Sequence, residues 1–185
     1  MLTRINFLTA GESHGRGLLG IIDGIPSGLE ISKEYIDVQL KRRQMGHGRG
    51  GRMKIENDAV EIWSGVRDGK TIASPIGLIV KNKDWENWKN KMSVEKMEKT
   101  PRKVTLPRPG HADLAGVEKY GFDDIRNVLE RSSARETTMR VALASICRKL
   151  LGDIGIHVAS RVVQIHNIVD FSLIPGNIKI QKLNE

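Results

Sequence analysis

The feature that most constrains the fold is a helical pattern late in the chain. Ile125, Val128, Leu129, Met139, Ala142, Leu143, Ile146 and Leu150 recur at the spacing of one helix face. They predict a long helix from Asp123 or Asp124 to Leu151, ended by Gly152 or Gly155. Its middle, 131–138, interrupts the apolar stripe with small and polar residues. A helix of this kind needs an apolar sheet to lie on, and the earlier segments supply one. Residues 4–10 and Leu18–Ile22 read as strands, followed by Asp23-Gly24 and a Pro26-Ser27-Gly28 turn. Met53–Ile55, Val60–Trp63 and Ile76–Val80 alternate as strands do, with turns near Asn57-Asp58 and at Asp68-Gly69, which predicts an antiparallel meander. Strands and helices do not alternate strictly, so the expected class is α+β, an antiparallel β-sheet packed against long helices.

Smaller elements fill the gaps. Ser32 caps a helix running through Gln44, with Glu34 in the first turn and Lys41 to Arg43 in the last, a charge order that suits the helix dipole. On it, Ile36, Leu40 and Arg43 form one stripe. Residues 84–99 read as a basic amphipathic helix carrying Trp85, Trp88 and Met92, ended by Pro101. Residues 112–119 read as a short helix, 156–169 as strand-like, and 170–185 carry no clear terminal element. With no internal repeat and no linker, residues 1–185 are expected to form one domain or one lobe of a larger one.

Composition narrows the function. The chain has 185 residues, 39% hydrophobic and 28% charged, and no apolar run of membrane-spanning length. Its start lacks the apolar core of a signal peptide, and the single cysteine, Cys147, has no internal partner, so a reducing cytoplasm is expected. Net charge is +8, which points to an anionic partner. Lysines are scattered, whereas arginines cluster beside glycine, proline and histidine, the pattern of two-point phosphate or carboxylate recognition. Only 4% of residues are aromatic, which argues against stacking of single-stranded nucleic acid.

Several motifs carry chemistry. In Pro107-Arg108-Pro109-Gly110-His111-Ala112-Asp113, two prolines fix the approach to a histidine, and an imidazole titrates near neutrality. Arg131-Ser132-Ser133-Ala134-Arg135-Glu136-Thr137 places residues small enough for a flat ring between two arginines, where a solvated face with a Glu136–Arg140 ion pair is the plain alternative. Gly11-Glu12-Ser13-His14-Gly15 sets a histidine in a tight turn. Taken alone, His14 reads as a turn histidine bonded to local carbonyls. Gly46-His47-Gly48-Arg49-Gly50-Gly51-Arg52 follows Arg42-Arg43; His47 reads as part of that loop, and His157 and His166 as structural. Gly15-Arg16-Gly17-Leu18-Leu19-Gly20 matches the dinucleotide fingerprint in letters, but strand rather than helix follows it, so the match is chance. No metal-ligand spacing is present.

Together these segments resemble the chorismate synthase family. The resemblance rests on Gly11–Gly15 through Gly24-Ile25-Pro26, Arg43, Gly48–Met53, Arg108–Asp113 and Arg131–Thr137, in order along the chain. It implies half of a β-α-β sandwich, with 1–185 as the N-terminal part of a single catalytic domain. It further implies anti-1,4 elimination of phosphate from 5-enolpyruvylshikimate 3-phosphate to give chorismate, with reduced FMN as cofactor, NADPH as reductant in bifunctional members, and a cytoplasmic homotetramer. By motif, Arg43, Arg49 and Arg135 would clamp the substrate's anions, with Ser13 and Glu136 beside it. His14 would protonate the departing phosphate. His111 would face the reduced flavin, and Arg108, Arg131, Ser132, Ser133 and Ala134 would line the flavin phosphate and ring. Without the family's C-terminal half, the chain alone is expected to bind FMN weakly and to turn over poorly or not at all. A non-catalytic lobe and a basic nucleic-acid-binding module are the alternative readings; no nucleic-acid partner, membrane partner or metal is expected.

Overall fold

The computed structural model describes residues 4–45, 55–97, 101–133 and 135–170. Its first unit, Met1–Cys147, is built on four strands: β1 (Asn6–Gly11), β2 (Gly17–Asp23), β3 (Val60–Ile62) and, after a two-strand excursion β4 (Val66–Arg67) and β5 (Lys70–Thr71), β6 (Ile76–Lys81). All pairings are antiparallel and the sheet order is β1-β2-β6-β3. The expected sequential meander is thereby corrected. β6 lies between β2 and β3, with Leu18 opposite Val80 and Val60 opposite the same Val80. The physical reason is hydrophobic. β6 alternates Ile76, Leu78 and Val80 on its inner face, each at most 1% exposed, and a strand so apolar belongs in the middle of a sheet. Asp68 (φ 50°) and Gly69 (φ 69°) close β4 onto β5 with left-handed conformations at both turn positions, as a two-residue hairpin requires.

The inner face of the sheet is covered by helices. α1 (Lys33–Gln44) packs beside β3 with Ile36 and Leu40 fully buried, and Ser32 Oγ accepts the Tyr35 amide as its cap at 3.2 Å. The long helix is not continuous. It is two, α4 (Arg126–Arg131) and α5 (Glu136–Asp153), preceded by α2 (Trp85–Met92) and α3 (Asp113–Tyr120). Ser132 Oγ turns back to the Val128 carbonyl at 2.8 Å, and Ser133 Oγ accepts the Arg135 amide at 3.2 Å. Small hydroxyl side chains compete here with helical hydrogen bonding, which accounts for the break. α5 lies on β2 through Met139 and Leu143, each at most 2% exposed. Burial of each such side chain contributes roughly 1.5–3 kcal/mol.

Two further expectations are shortened. The helix over 84–99 stops at Met92, because it buries no residue and Ser93 Oγ accepts the Glu95 amide at 3.1 Å in a competing turn. The strand-like stretch 156–169, in the second unit Arg148–Glu185, reduces to the hairpin β7 (Gln164–Ile165) and β8 (Ile168–Val169), all four residues exposed. Without a face to bury, no longer pairing is favoured. Of the expected strand Met53–Ile55, Ile55 stands in a turn and the other two lie outside the described residues. The architecture is α+β, as expected, and no described helix is long and apolar enough to cross a membrane.

A glycine marks the closest approach of helix to sheet. A Cβ on Gly20 would stand 2.6 Å from Met139 Sδ and 2.9 Å from Leu143 Cδ1. Gly20→Ala therefore overpacks the core and is expected to lower stability by about 1–3 kcal/mol. Urea unfolding reads this as a lower midpoint at unchanged slope; an unmoved midpoint would mean that Met139 and Leu143 repack freely.

Candidate active site

The turn between β1 and β2 sets the site. β1 ends at Gly11 with φ 97°, where a Cβ would lie 2.3 Å from the Gly17 carbonyl oxygen, so only glycine lets the chain double back so tightly. The turn is held from outside by Asn82, just past β6. Its side-chain amide donates to the carbonyls of Glu12 (3.0 Å), Ser13 (3.2 Å) and Gly15 (2.8 Å), and its own amide N–H donates to the Arg16 carbonyl at 3.1 Å. Asn82 Oδ1 accepts from Arg135 Nε at 2.8 Å. One buried asparagine thus joins the histidine turn to the start of α5.

His14 is held on three sides. Its Nδ1 lies 3.0 Å from both carboxylate oxygens of Glu130, on α4, and its backbone N–H donates to Glu130 Oε2 at 2.8 Å. The Ser13 amide donates to the Glu130 backbone carbonyl at 2.9 Å. The imidazole stacks on Trp88 with centroids 3.9 Å apart. Glu130 is 3% exposed. Burial acts to raise its pKa, and the hydrogen bonds from His14 and Arg126 outweigh that, leaving the carboxyl below its ordinary value. Sequence reading found His14 but neither Glu130 nor Asn82. Glu130 is an ordinary helix residue by its neighbours, and Asn82 reads as turn; Trp88 read as one ring of an amphipathic helix.

The residues around the helix break converge here. Ser13 Oγ donates to Ser133 Oγ at 3.0 Å. Arg131 reaches back to the carbonyls of Gly11 (3.0 Å) and Thr9 (3.3 Å) and stands 3.8 Å from Glu136. Glu136 also accepts from Thr9 Oγ1 at 2.8 Å and pairs with Arg140 at 2.8 Å, so the plain ion-pair reading describes part of its role. Burial raises the Glu136 carboxyl, but Arg140, Thr9 and Arg131 bring it below its ordinary value. Arg131 and Arg135, expected one turn apart on a single helix, instead flank the break.

A second layer of charge lies beneath. Arg135 is only 6% exposed and pairs with Asp58, with Glu56 at 3.5 Å and with Asn82. Arg43 stands 3.5 Å from the other oxygen of Asp58 and donates to Thr137 Oγ1 at 3.3 Å. Gln44 Nε2 completes the layer on the Glu56 carbonyl at 2.8 Å. Two of the expected anion-binding arginines thus share one buried carboxylate. Buried ion pairs of this kind fix geometry more than they add stability. Arg49 and Ala134 lie outside the described residues.

Arg108 and His111 occupy a separate loop. The Asp113 carboxylate accepts from Arg108 Nε (2.9 Å), Nη2 (2.9 Å) and backbone N–H (2.8 Å), and the His111 amide donates to the Arg108 carbonyl at 3.3 Å. His111 is exposed, and among the described residues no hydrogen bond or ring contact joins it to His14. The hydrogen bond from Arg108, foremost, holds Asp113 at about 2 against its ordinary 3.8.

Two cavities share residues with this region, one through Arg126, which pairs with Glu130, and one through Arg131 and Ser132 at the helix break, but neither has His14 or Glu130 in its wall. The larger, about 890 Å³, includes Glu12, Lys91, Arg102, Lys103, Arg126 and Asn127 in its wall. The smaller, about 430 Å³, is formed by Tyr120, Phe122, Asn127, Val128, Arg131 and Ser132. Both fall in the size range of small-molecule sites. Aromatic rings, an apolar wall, a guanidinium and a hydroxyl line the smaller one. No described cluster of His, Cys, Asp and Glu could hold a metal ion.

Comparison with known proteins adds independent findings. A sequence model of the family described as Chorismate synthase matches residues 5–184. The chain is 58% identical over 167 residues to a chorismate synthase of Chlorobium phaeovibrioides, covering 90% of this chain and 42% of that protein. It is 55% identical over 184 residues to one of Enterococcus faecalis, covering 98% and 47%. A solved structure, "Crystal Structure of Chorismate Synthase", superposes with a TM-score of 0.70 at 42% identity, covering 92% of this chain and 41% of that one. The chain spans about half the length of the curated relatives it matches.

Two measurements test the geometry. Asn82→Ala strands three carbonyls of the turn and one face of Arg135, at roughly 1–3 kcal/mol for each buried group left unsatisfied. A lower melting temperature and faster hydrogen exchange at Ser13 and His14 are expected; unchanged exchange would mean that water replaces the amide. Asp113, with its folded pKa depressed, contributes stability that is present above pH 3.8 and lost as pH falls toward about 2. Asp113→Asn should flatten the melting temperature between these two values. If it stays as steep as in the parent chain, Arg108 is not held by this carboxylate.

Proposed function

The chain belongs to the chorismate synthase family, and from that premise we propose that it carries the proton-donating and anion-binding part of the elimination of phosphate from 5-enolpyruvylshikimate 3-phosphate. The observation that supports this most is the buried His14–Glu130 pair, whose partner Arg126 stands in the wall of one ligand-sized cavity while Arg131 stands in the wall of another. In the reaction the ring C–O bond to phosphate breaks, a ring proton leaves, and a second ring double bond forms. Phosphate departs more readily when its growing charge meets cations and a proton. Every hydrogen bond of the His14 ring among the described residues runs through Nδ1, which leaves Nε2 to carry that proton. Ser13 stands beside it, tied to Ser133.

Arg43, Arg49 and Arg135 are assigned to the substrate's carboxylates and phosphate. Arg43 and Arg135 already share Asp58, so a substrate anion at that point competes with a buried carboxylate. Such competition favours a multiply charged ligand over a single carboxylate. Glu136 holds Arg131, and through it the edge of the smaller cavity. We assign Arg131, Ser132, Ser133 and Ala134 to FMN, with Arg108 and His111 on their own loop as the remaining flavin contacts. When bound, reduced FMN supplies an electron-rich ring to an elimination with no net redox change. The same reading extends to a cytoplasmic homotetramer, with NADPH as reductant where a member reduces its own flavin.

Anaerobic mixing with reduced FMN and 5-enolpyruvylshikimate 3-phosphate tests the proposal. Saturable fluorescence quenching by FMN is expected, weakened about tenfold in Arg131→Gln, the loss of one charge-assisted contact. Chorismate and phosphate should form in equal amounts, and His14→Ala should lower their rate by roughly 10²–10⁴, the usual contribution of a general acid. Steep salt-dependent binding of DNA without any flavin quenching would overturn the reading.

A further inference from the structure

Glu130 contributes to nothing that the sequence motifs demand, yet it is among the most constrained side chains of the first unit. It is 3% exposed, its carboxylate receives the His14 ring and the His14 amide, and its backbone carbonyl receives the Ser13 amide. Arg126, one helical turn earlier, reaches Glu130 Oε1 at 3.4 Å. The Arg126 guanidinium also stands 5.1 Å from the centre of the Trp88 ring, and Trp88 covers one face of His14. Other charged groups at this point include Lys91, 5.0 Å from the Trp88 centroid, Asp84, which accepts from Trp88 Nε1 at 3.0 Å, and Arg108, which feels the charge of Glu130.

A carboxylate has only acceptor oxygens, so a ring nitrogen 3.0 Å from both of them must donate. The neutral imidazole is then protonated at Nδ1 and carries its lone pair at Nε2. The ring is prevented from turning over by two independent contacts, the Glu130 hydrogen bonds on its edge and the Trp88 stack on its face. We propose that Glu130 is the positioning residue of His14: its buried carboxylate fixes the Nδ1–H tautomer, makes Nε2 the atom that holds or releases a proton, and offsets the positive charge when both nitrogens are protonated. The tautomer part of this inference stands by itself; its catalytic part rests on the function proposed above.

The test is NMR on the ¹⁵N-labelled 185-residue chain, with long-range proton–nitrogen correlations of the histidine rings and His14→Gln to identify the signal. At a pH where the ring is neutral, the His14 pattern should be that of Nδ1–H. Finding Nε2–H instead overturns the proposal without need of any variant. In Glu130→Gln the ratio of the two tautomers should fall about tenfold or more, since a hydrogen bond to a charged group is replaced by a neutral one. An unchanged ratio overturns the proposal as well. In the anaerobic assay, Glu130→Gln should lower kcat by roughly ten- to a hundredfold, part of the usual general-acid contribution, with KM little changed. Altered tautomers with unaltered kcat in an active chain would sink the positioning role. A parent chain that holds the Nδ1–H tautomer but neither quenches with FMN nor forms chorismate would instead count against the proposed reaction, and leave the Glu130 assignment supported.

Discussion

The side chain of Asn82 is the point on which the site depends. Its amide binds three carbonyls of one tight turn, and its oxygen accepts from a buried arginine at the start of α5. Asparagine is suited to this because it offers donors and an acceptor on one short, uncharged group. Aspartate could accept from Arg135 but would repel the three carbonyls. A longer glutamine would carry the same groups too far from the end of β6. The turn that bears Ser13 and His14 therefore has its shape set by a residue nearly seventy positions away, 67 from Gly15 by sequence separation.

Below that junction, charge is arranged in nearly balanced groups rather than as a bare cationic hole. Arg43 and Arg135 face Asp58 and Glu56; Arg131 and Arg140 face Glu136; Arg126 faces Glu130. An arginine held by a buried carboxylate is pre-oriented, and the ordering of its long side chain has already occurred on folding. A strongly anionic ligand can then exchange for the carboxylate without ordering the guanidinium anew. The net charge of +8 says little about this, because lysine and arginine contribute to it equally and the arginines named here are each met by a carboxylate.

The sheet and its cover were legible in the sequence because burial is periodic. The alternation Leu18, Gly20, Ile22 and Ile76, Leu78, Val80, and the stripe Met139, Leu143, Ile146, each name a face that water must leave. Strand order was not legible. Which of two apolar strands sits in the middle depends on tertiary pairing, and β6 takes the place that a meander would give to β3. The arginines around the break were marked by residue type and spacing, whereas Ser13 and His14 were marked by the family resemblance. Glu130, Asn82 and Trp88 were not, since each becomes part of the site only when the β1–β2 turn folds onto α4 and α2.

The break between α4 and α5 shows why an imperfect helix serves better than a perfect one. In one continuous helix, residues 131 and 135 would lie on the same face, one turn apart, and both guanidiniums would point the same way. Ser132 and Ser133 divert their hydroxyls into the backbone and end that geometry. Arg131 is then able to reach the carbonyls of Gly11 and Thr9 on β1, while Arg135 turns inward to Asn82 and Asp58. Glu130, in the last turn of α4, keeps the helical register that delivers its carboxylate to His14. A substitution that restored helix across Ser132 and Ser133 would raise local helix propensity and yet draw these three side chains off their separate targets. The small polar residues there are best understood as a hinge of fixed angle: they cost helix continuity and in return distribute one charged segment over the turn, the edge strand and the buried carboxylates.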